Sequence, residues 1–265
     1  MTNSPIAPVK EKQSSRPAEL VRFEPARRRV RVYLNGEVLA DTENAMLLWE
    51  WHRPPYYYFP LEDVRTEFLE KSDKTSRRPS IGEAQYWHVQ VGDRREQNAA
   101  WSYAETRPEA PDLNGYIAFK FHVMDAWFEE DDEIYVHPKD PYVRVDALTS
   151  SRHVRVEVEG EIVAETDRPV LLYETGLITR YYIPKIDVRQ DLLASSETHT
   201  SCPYKGMASY YSLKIGGELR EDLVWYYPQP FAEVAKIQNL LCFYNEKVDI
   251  YVDGELQERP KSVFA

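Results

Sequence analysis

Within the segment THTSCPYKGMASYY (residues 198–211), a thiol, an ammonium and an imidazole stand close together as Cys202, Lys205 and His199. A cysteine attacks as its thiolate, which a nearby ammonium favours, and a histidine can take the proton. The spacing permits covalent or acid–base chemistry in which Cys202 and Lys205 meet across a Pro-Tyr turn. His199 is then the base, oriented by Asp187 or Glu174. The same residues admit a second chemistry, a non-covalent site in which Lys205 and Arg189 meet an anion among Tyr204, Tyr210, Tyr182, Trp225 and Tyr227, with Asp187 beside them. They also admit a third reading, a structural turn with a buried thiol and a paired ammonium.

Other groups add less. Asp187 and Arg189, two apart on an extended segment, share one face and form either an ion pair or a ligand clamp. Trp225 and Tyr227 share a face for the same reason. His52, in the cluster WEWHRPPYYY (residues 49–58), is expected to be a satisfied hydrogen bonder, and that cluster offers an exposed recognition surface. Cys242, within LLCFY, reads as core. There is no C-x-x-C pair, Gly-rich phosphate loop, serine elbow or His-x-x-x-His, so neither a metal nor a cofactor is expected.

The formal charge of -11 opposes binding to nucleic acid or an anionic membrane, and Arg27–Arg29 and Arg77–Arg78 read as solvated faces. With two cysteines far apart, a reduced cytoplasmic compartment is the default, and no apolar run approaches the ~20 residues of a spanning helix. A small molecule is the expected partner. The oligomeric state is left open.

The elements that must position these groups are written twice. Laying Gly36 over Gly160 sets an offset of 124 residues, at which VRVYLNGEVLADTENAMLLWE lies over VRVEVEGEIVAETDRPVLLYE and YYFPLEDVR over YYIPKIDVR. Farther on, GEAQYW meets GMASYY and MDAW meets VDIY. The chain is therefore a duplication. It is expected to comprise a flexible tail (1–25), a first repeat domain (26–128), an acidic, Pro-bearing linker (129–150) and a second repeat domain (151–257).

Val30, Val32 and Leu34 alternate with polar residues before Asn35-Gly36, a hairpin signal that Val154–Val158 and Glu159-Gly160 repeat. The fold class is mainly β: two small antiparallel domains, each with at most one short helix. Residues 231–242 are the fair helical candidate, on the spacing of Val234, Ile237 and Leu241.

Positions that agree between the copies include Glu50 with Glu174, Tyr58 with Tyr182, Pro60 with Pro184, Asp63 with Asp187, Arg65 with Arg189, Trp101 with Trp225 and Tyr103 with Tyr227. The reactive turn does not. His199, Cys202, Tyr204 and Lys205 stand over Thr75, Arg78, Ser80 and Ile81, whereas Pro203 and Gly206 stand over Pro79 and Gly82. Chemistry is thus expected in the second copy, with the first kept for packing or for completing a pocket.

The ordered motifs WE/YE, YY(F/I)P, DVR, CPYKGxASYY and W-x-Y-P-x-P resemble the domain-of-unknown-function 427 family across both copies, the first degenerate at Cys-Pro-Tyr-Lys-Gly. The resemblance implies a compact antiparallel β domain akin to the β-tent group, and without zinc, since the paired cysteines of its metal-binding members are missing. A nucleotidyltransferase-like label attached to that family implies nucleotide transfer, but the Gly-Ser with a spaced acidic pair is absent here. The functional expectation is binding of a small polar or anionic metabolite in the C-terminal copy. The alternatives are an enzyme using Cys202 or Lys205, a protein-interaction module, or the nucleotidyltransferase-like activity.

Overall fold

A computed structural model describes residues 21–50 and 53–262. The described residues divide into two compact units, with the boundary between Asp132 and Glu133. The first carries β1 (Arg22–Pro25), β2 (Val30–Leu34), β3 (Glu37–Thr42), β4 (Met46–Trp49), β5 (Tyr56–Pro60), β6 (Leu69–Arg78), β7 (Gly82–Val91), β8 (Arg94–Ser102), β9 (Tyr116–Phe119) and β10 (Ala126–Glu129), with β11 (Asp132–Glu133) at the boundary. The second carries β12 (Val145–Thr149), β13 (Val154–Val158), β14 (Glu161–Thr166), β15 (Val170–Glu174), β16 (Arg180–Ile183), β17 (Leu193–Cys202), β18 (Gly206–Ile215), β19 (Glu218–Pro230), β20 (Leu241–Phe243), β21 (Asp249–Val252) and β22 (Glu255–Leu256).

The strand orders show the duplication directly. The first unit has a seven-stranded sheet β1-β4-β5-β9-β8-β7-β6 and a four-stranded sheet β11-β10-β2-β3. The second has β12-β15-β16-β20-β19-β18-β17 and β14-β13-β21-β22, the same order strand for strand. Two-residue turns with positive φ at both positions, Asn35-Gly36 and Glu159-Gly160, close the corresponding hairpins.

Alternation along each strand sorts its side chains between two layers. In the second unit Val154, Val156, Ile183, Leu213, Val224 and Phe243 fill the core between the sheets, each buried aliphatic or aromatic side chain contributing about 1.5–3 kcal/mol. Their strand neighbours Tyr182, Trp225 and Cys242 point to the other face, where they join Tyr210, Tyr227, Val234 and Ile237. In the first unit Tyr58, Trp101, Tyr103 and Ile81 form the matching aromatic layer.

Two irregularities bend the large sheets. Asn98 and Asp222 occupy corresponding positions and both adopt the left-handed conformation, at φ 51° and 52°. The register shifts beside them, between Trp87 and Val89 and between Tyr211 and Leu213. Such bulges turn a strand sharply.

Four expectations differ from the structure here. Residues 231–242 form a short 3₁₀ segment, Ala232–Ile237, followed by β20, because the strand partners at Tyr182 and Trp225 take Leu241–Phe243 into the sheet. β1 forms inside the segment expected as a tail, paired with β4, and β12 inside the expected linker, paired with β15. The proposed aromatic surface at residues 49–58 is largely core: Trp49, Tyr57 and Tyr58 are buried, while Trp51 and His52 lie outside the described residues.

Candidate functional site

The turn Cys202–Gly206 joins β17 to β18. Lys205 N–H closes it on Cys202 O at 3.4 Å, and Phe231 N–H donates to Lys205 O at 3.1 Å, clipping the turn to the end of β19. Gly206 has φ +101° and its α-carbon faces that strand so closely that a Cβ would stand 3.1 Å from Gln229 O, so a larger residue there would be strained. Gly82 repeats this in the first unit, with Arg107 N–H on Ile81 O at 2.7 Å.

Curling of the sheet brings the end of β15 to this turn. The Lys205 ammonium donates to the Glu174 carboxylate, and the two side chains are only 11% and 8% exposed. Around the pair stand Tyr204, Tyr210, Tyr227 and Cys202. The Tyr204 hydroxyl accepts Asp140 N–H at 2.9 Å, with the His137 ring at 6.1 Å, and burial pushes its pKa up to about 12. The Tyr210 and Thr200 hydroxyls share a hydrogen bond of 2.8 Å. The Tyr227 phenol is raised far above its ordinary value by burial first, then by its neighbours Cys202, Tyr210, Cys242 and Glu174. Its hydroxyl bonds to no other described residue. Behind it, Trp225 Nε1–H donates to the Tyr182 hydroxyl at 3.2 Å, and burial keeps Tyr182 protonated.

The other residues singled out from sequence do not join this cluster. His199 is exposed on β17, three residues from Cys202 and so on the opposite face of the strand, and Nδ1 lies 2.8 Å from Glu197 O. Asp187 and Arg189 are not on a strand and do not pair with each other. Asp187 ends a 3₁₀ turn, Lys185–Asp187, accepts Thr166 Oγ1–H at 2.8 Å and pairs with Arg168 at 2.9 Å. Arg189 is exposed and pairs with Asp191 at 2.6 Å. Both line a separate shallow depression of about 360 Å³ with Ile162, Glu165, Ile186 and Val188.

Comparison with known proteins bears on the whole chain. A family model described as a domain of unknown function, DUF427, matches residues 22–130 and 146–254. The chain belongs to the DUF427 family. Two tandem copies of the DUF427 domain account for the two units and their shared strand order. No curated protein matches the chain. Among the described residues, no helix is long and apolar enough to cross a membrane, and no cluster of three or more His, Cys, Asp or Glu is arranged to hold a metal ion.

Sequence reasoning missed one part of this DUF427 site. Arg180 on β16 donates through both terminal nitrogens to Glu246, at 2.7 and 2.8 Å, while its guanidinium carbon lies 5.2 Å from the Trp225 ring centroid. The Glu246 side chain is 1% exposed. Burial opposes its charge, but Arg180 and Ser262 outweigh that and hold the carboxyl below its ordinary value. The repeat carried a signal for the pair, since Tyr56 and His122 stand at these positions in the first copy.

Proposed function

We propose that the second unit binds a small polar or anionic metabolite at the turn Cys202–Gly206, with Lys205 and the Tyr227 hydroxyl as its hydrogen-bonding contacts. The observation that carries this reading is a nearly buried Lys205–Glu174 pair beside a Tyr227 hydroxyl with no bonded partner among the described residues. Tyr227 is 5% exposed, and its hydroxyl can both donate to and accept from a ligand oxygen at the edge of the aromatic layer. Glu174 takes one of three ammonium protons, leaving Lys205 further donors for the same ligand. Tyr204 and Tyr210 supply polar-tipped walls.

The placement of His199 favours binding over thiol catalysis, because the expected base faces away from Cys202. The test is thermal stabilisation by a panel of carboxylates, phosphate esters and neutral polar metabolites, in wild type and in Tyr227→Phe. A binder raises Tm in proportion to RT ln(1 + [L]/Kd). The same compound should lose most of its effect on Tyr227→Phe, which keeps the ring and the core. No shift across the panel, or a shift that Tyr227→Phe leaves intact, would sink the reading.

A further inference from the structure

The first unit lacks Lys205, yet its glutamate is not left alone. Arg78, at the position of Cys202, donates through Nη1 to Glu50 Oε2 at 2.7 Å, with the side chains 25% and 11% exposed. Ile81, at the position of Lys205, is fully buried. The cation has therefore moved across the turn, from its outgoing to its incoming end, while the acid and the aromatic layer have stayed.

The move changes the chemistry available. Lys74, Ser76 and Arg78 are spaced to share one face of β6. Ser76 Oγ lies 3.1 Å from the Tyr86 hydroxyl, and the Lys74 ammonium sits 4.5 Å from the Tyr86 ring centroid. No carboxylate among the described residues lies within ion-pair distance of Lys74, whereas Thr198 occupies its place in the second unit. The first unit thus sets Lys74 and Arg78 near Tyr86 with Glu50 as the one paired carboxylate, whereas in the second unit each of the cations Lys205 and Arg180 has its own carboxylate, Glu174 and Glu246. Burial lifts the Tyr103 phenol to about 12, against the opposing charge of Arg78, so at neutral pH it is a hydrogen-bond donor and not an anion. Tyr56 lies edge-on to Trp101 at 5.4 Å and completes an aromatic wall.

We propose that the first unit holds a second ligand site of its own, for a small aromatic carboxylate. Its carboxylate takes the Arg78 N–H groups that Glu50 and the Tyr103 hydroxyl leave over, with Lys74 as counter-charge, and its ring lies against Tyr56 and Tyr86. A planar guanidinium matches a carboxylate fork, which the point charge of Lys205 does not. The surplus positive charge makes the site selective for anions, and the rings favour a planar body over a tetrahedral one. This goes beyond the site proposed for the second unit and does not depend on it.

The test titrates the full chain with benzoate, with acetate and inorganic phosphate as contrasts, followed by tryptophan fluorescence and calorimetry. Benzoate should bind at one site per chain and more tightly than either contrast. The double variant Arg78→Cys/Ile81→Lys, which moves the cation to its position in the second unit and keeps Glu50 paired, should weaken benzoate about tenfold or more. Lys74→Ala, at an exposed position, should weaken it severalfold without loss of folding. The proposal is overturned if benzoate does not bind at millimolar concentration, if phosphate binds better, or if both Arg78→Cys/Ile81→Lys and Lys74→Ala bind as wild type does.

Discussion

The Lys205 ammonium and the Glu174 carboxylate, 31 residues apart in the chain, form an ion pair that joins two strands lying far apart in the order of one sheet. Removing one partner of such a nearly buried pair leaves a charge in an apolar layer. Lys205→Met should therefore destabilise the protein by about 3–5 kcal/mol, and adding Glu174→Gln should recover most of the loss. Urea unfolding checks both. Equal midpoints for wild type and Lys205→Met would show that the pair is solvated.

Trp225 Nε1–H and the Tyr182 hydroxyl, like Trp101 and Tyr58 in the first unit, bond inside the aromatic layer at 3.2 and 2.8 Å. Deleting the acceptor strands a buried indole donor. Tyr182→Phe and Tyr58→Phe should each cost about 1–3 kcal/mol, read from chemical denaturation. A neutral result in both would mean that the indoles find other acceptors.

The two thiols should behave differently. Cys242 is fully buried, and burial lifts it from 9.0 to about 12. Between those values the unfolded chain has released a proton that the folded chain keeps, so stability present below pH 9 is lost as pH rises toward 12, by about 1.4 kcal/mol per pH unit. Cys242→Ala, which installs the residue found at the matching Ala118, should flatten that slope relative to wild type. Iodoacetamide should label half-buried Cys202 in the native protein and Cys242 only after unfolding. Native labelling of Cys242 at the rate of Cys202 would contradict the burial.

At the acid end, the Arg168 guanidinium, with help from the Thr166 hydroxyl, holds the Asp187 carboxyl below its ordinary value. As pH falls, the unfolded chain takes up this proton first. Stability from Asp187 is present above the ordinary carboxylate range and disappears as pH falls through the folded-state value. Arg168→Ala should make acid unfolding begin at higher pH, as followed by circular dichroism, and an unshifted acid limb would assign no weight to the contact.

Sequence by itself determined the duplication, the mainly β class and the hairpin turns at Asn35-Gly36 and Glu159-Gly160, because alternation and turn chemistry are local and repeat at a fixed offset. It also separated what the two copies share, such as Glu174 and Tyr227, from what only one carries, such as Lys205. Residues 231–242 had a helical spacing, and only pairing with β16 and β19 drew Cys242 into a strand. Asp187 and Arg189 resembled one face of a strand until a 3₁₀ turn sent each to a different partner. Tertiary structure alone decided which cation meets which acid. Lys205 reaches Glu174 and Arg78 reaches Glu50 because bulged strands curl each large sheet, and Arg180 reaches Glu246 because β16 pairs with β20, so residues whose separation in the chain gives no sign of contact are joined.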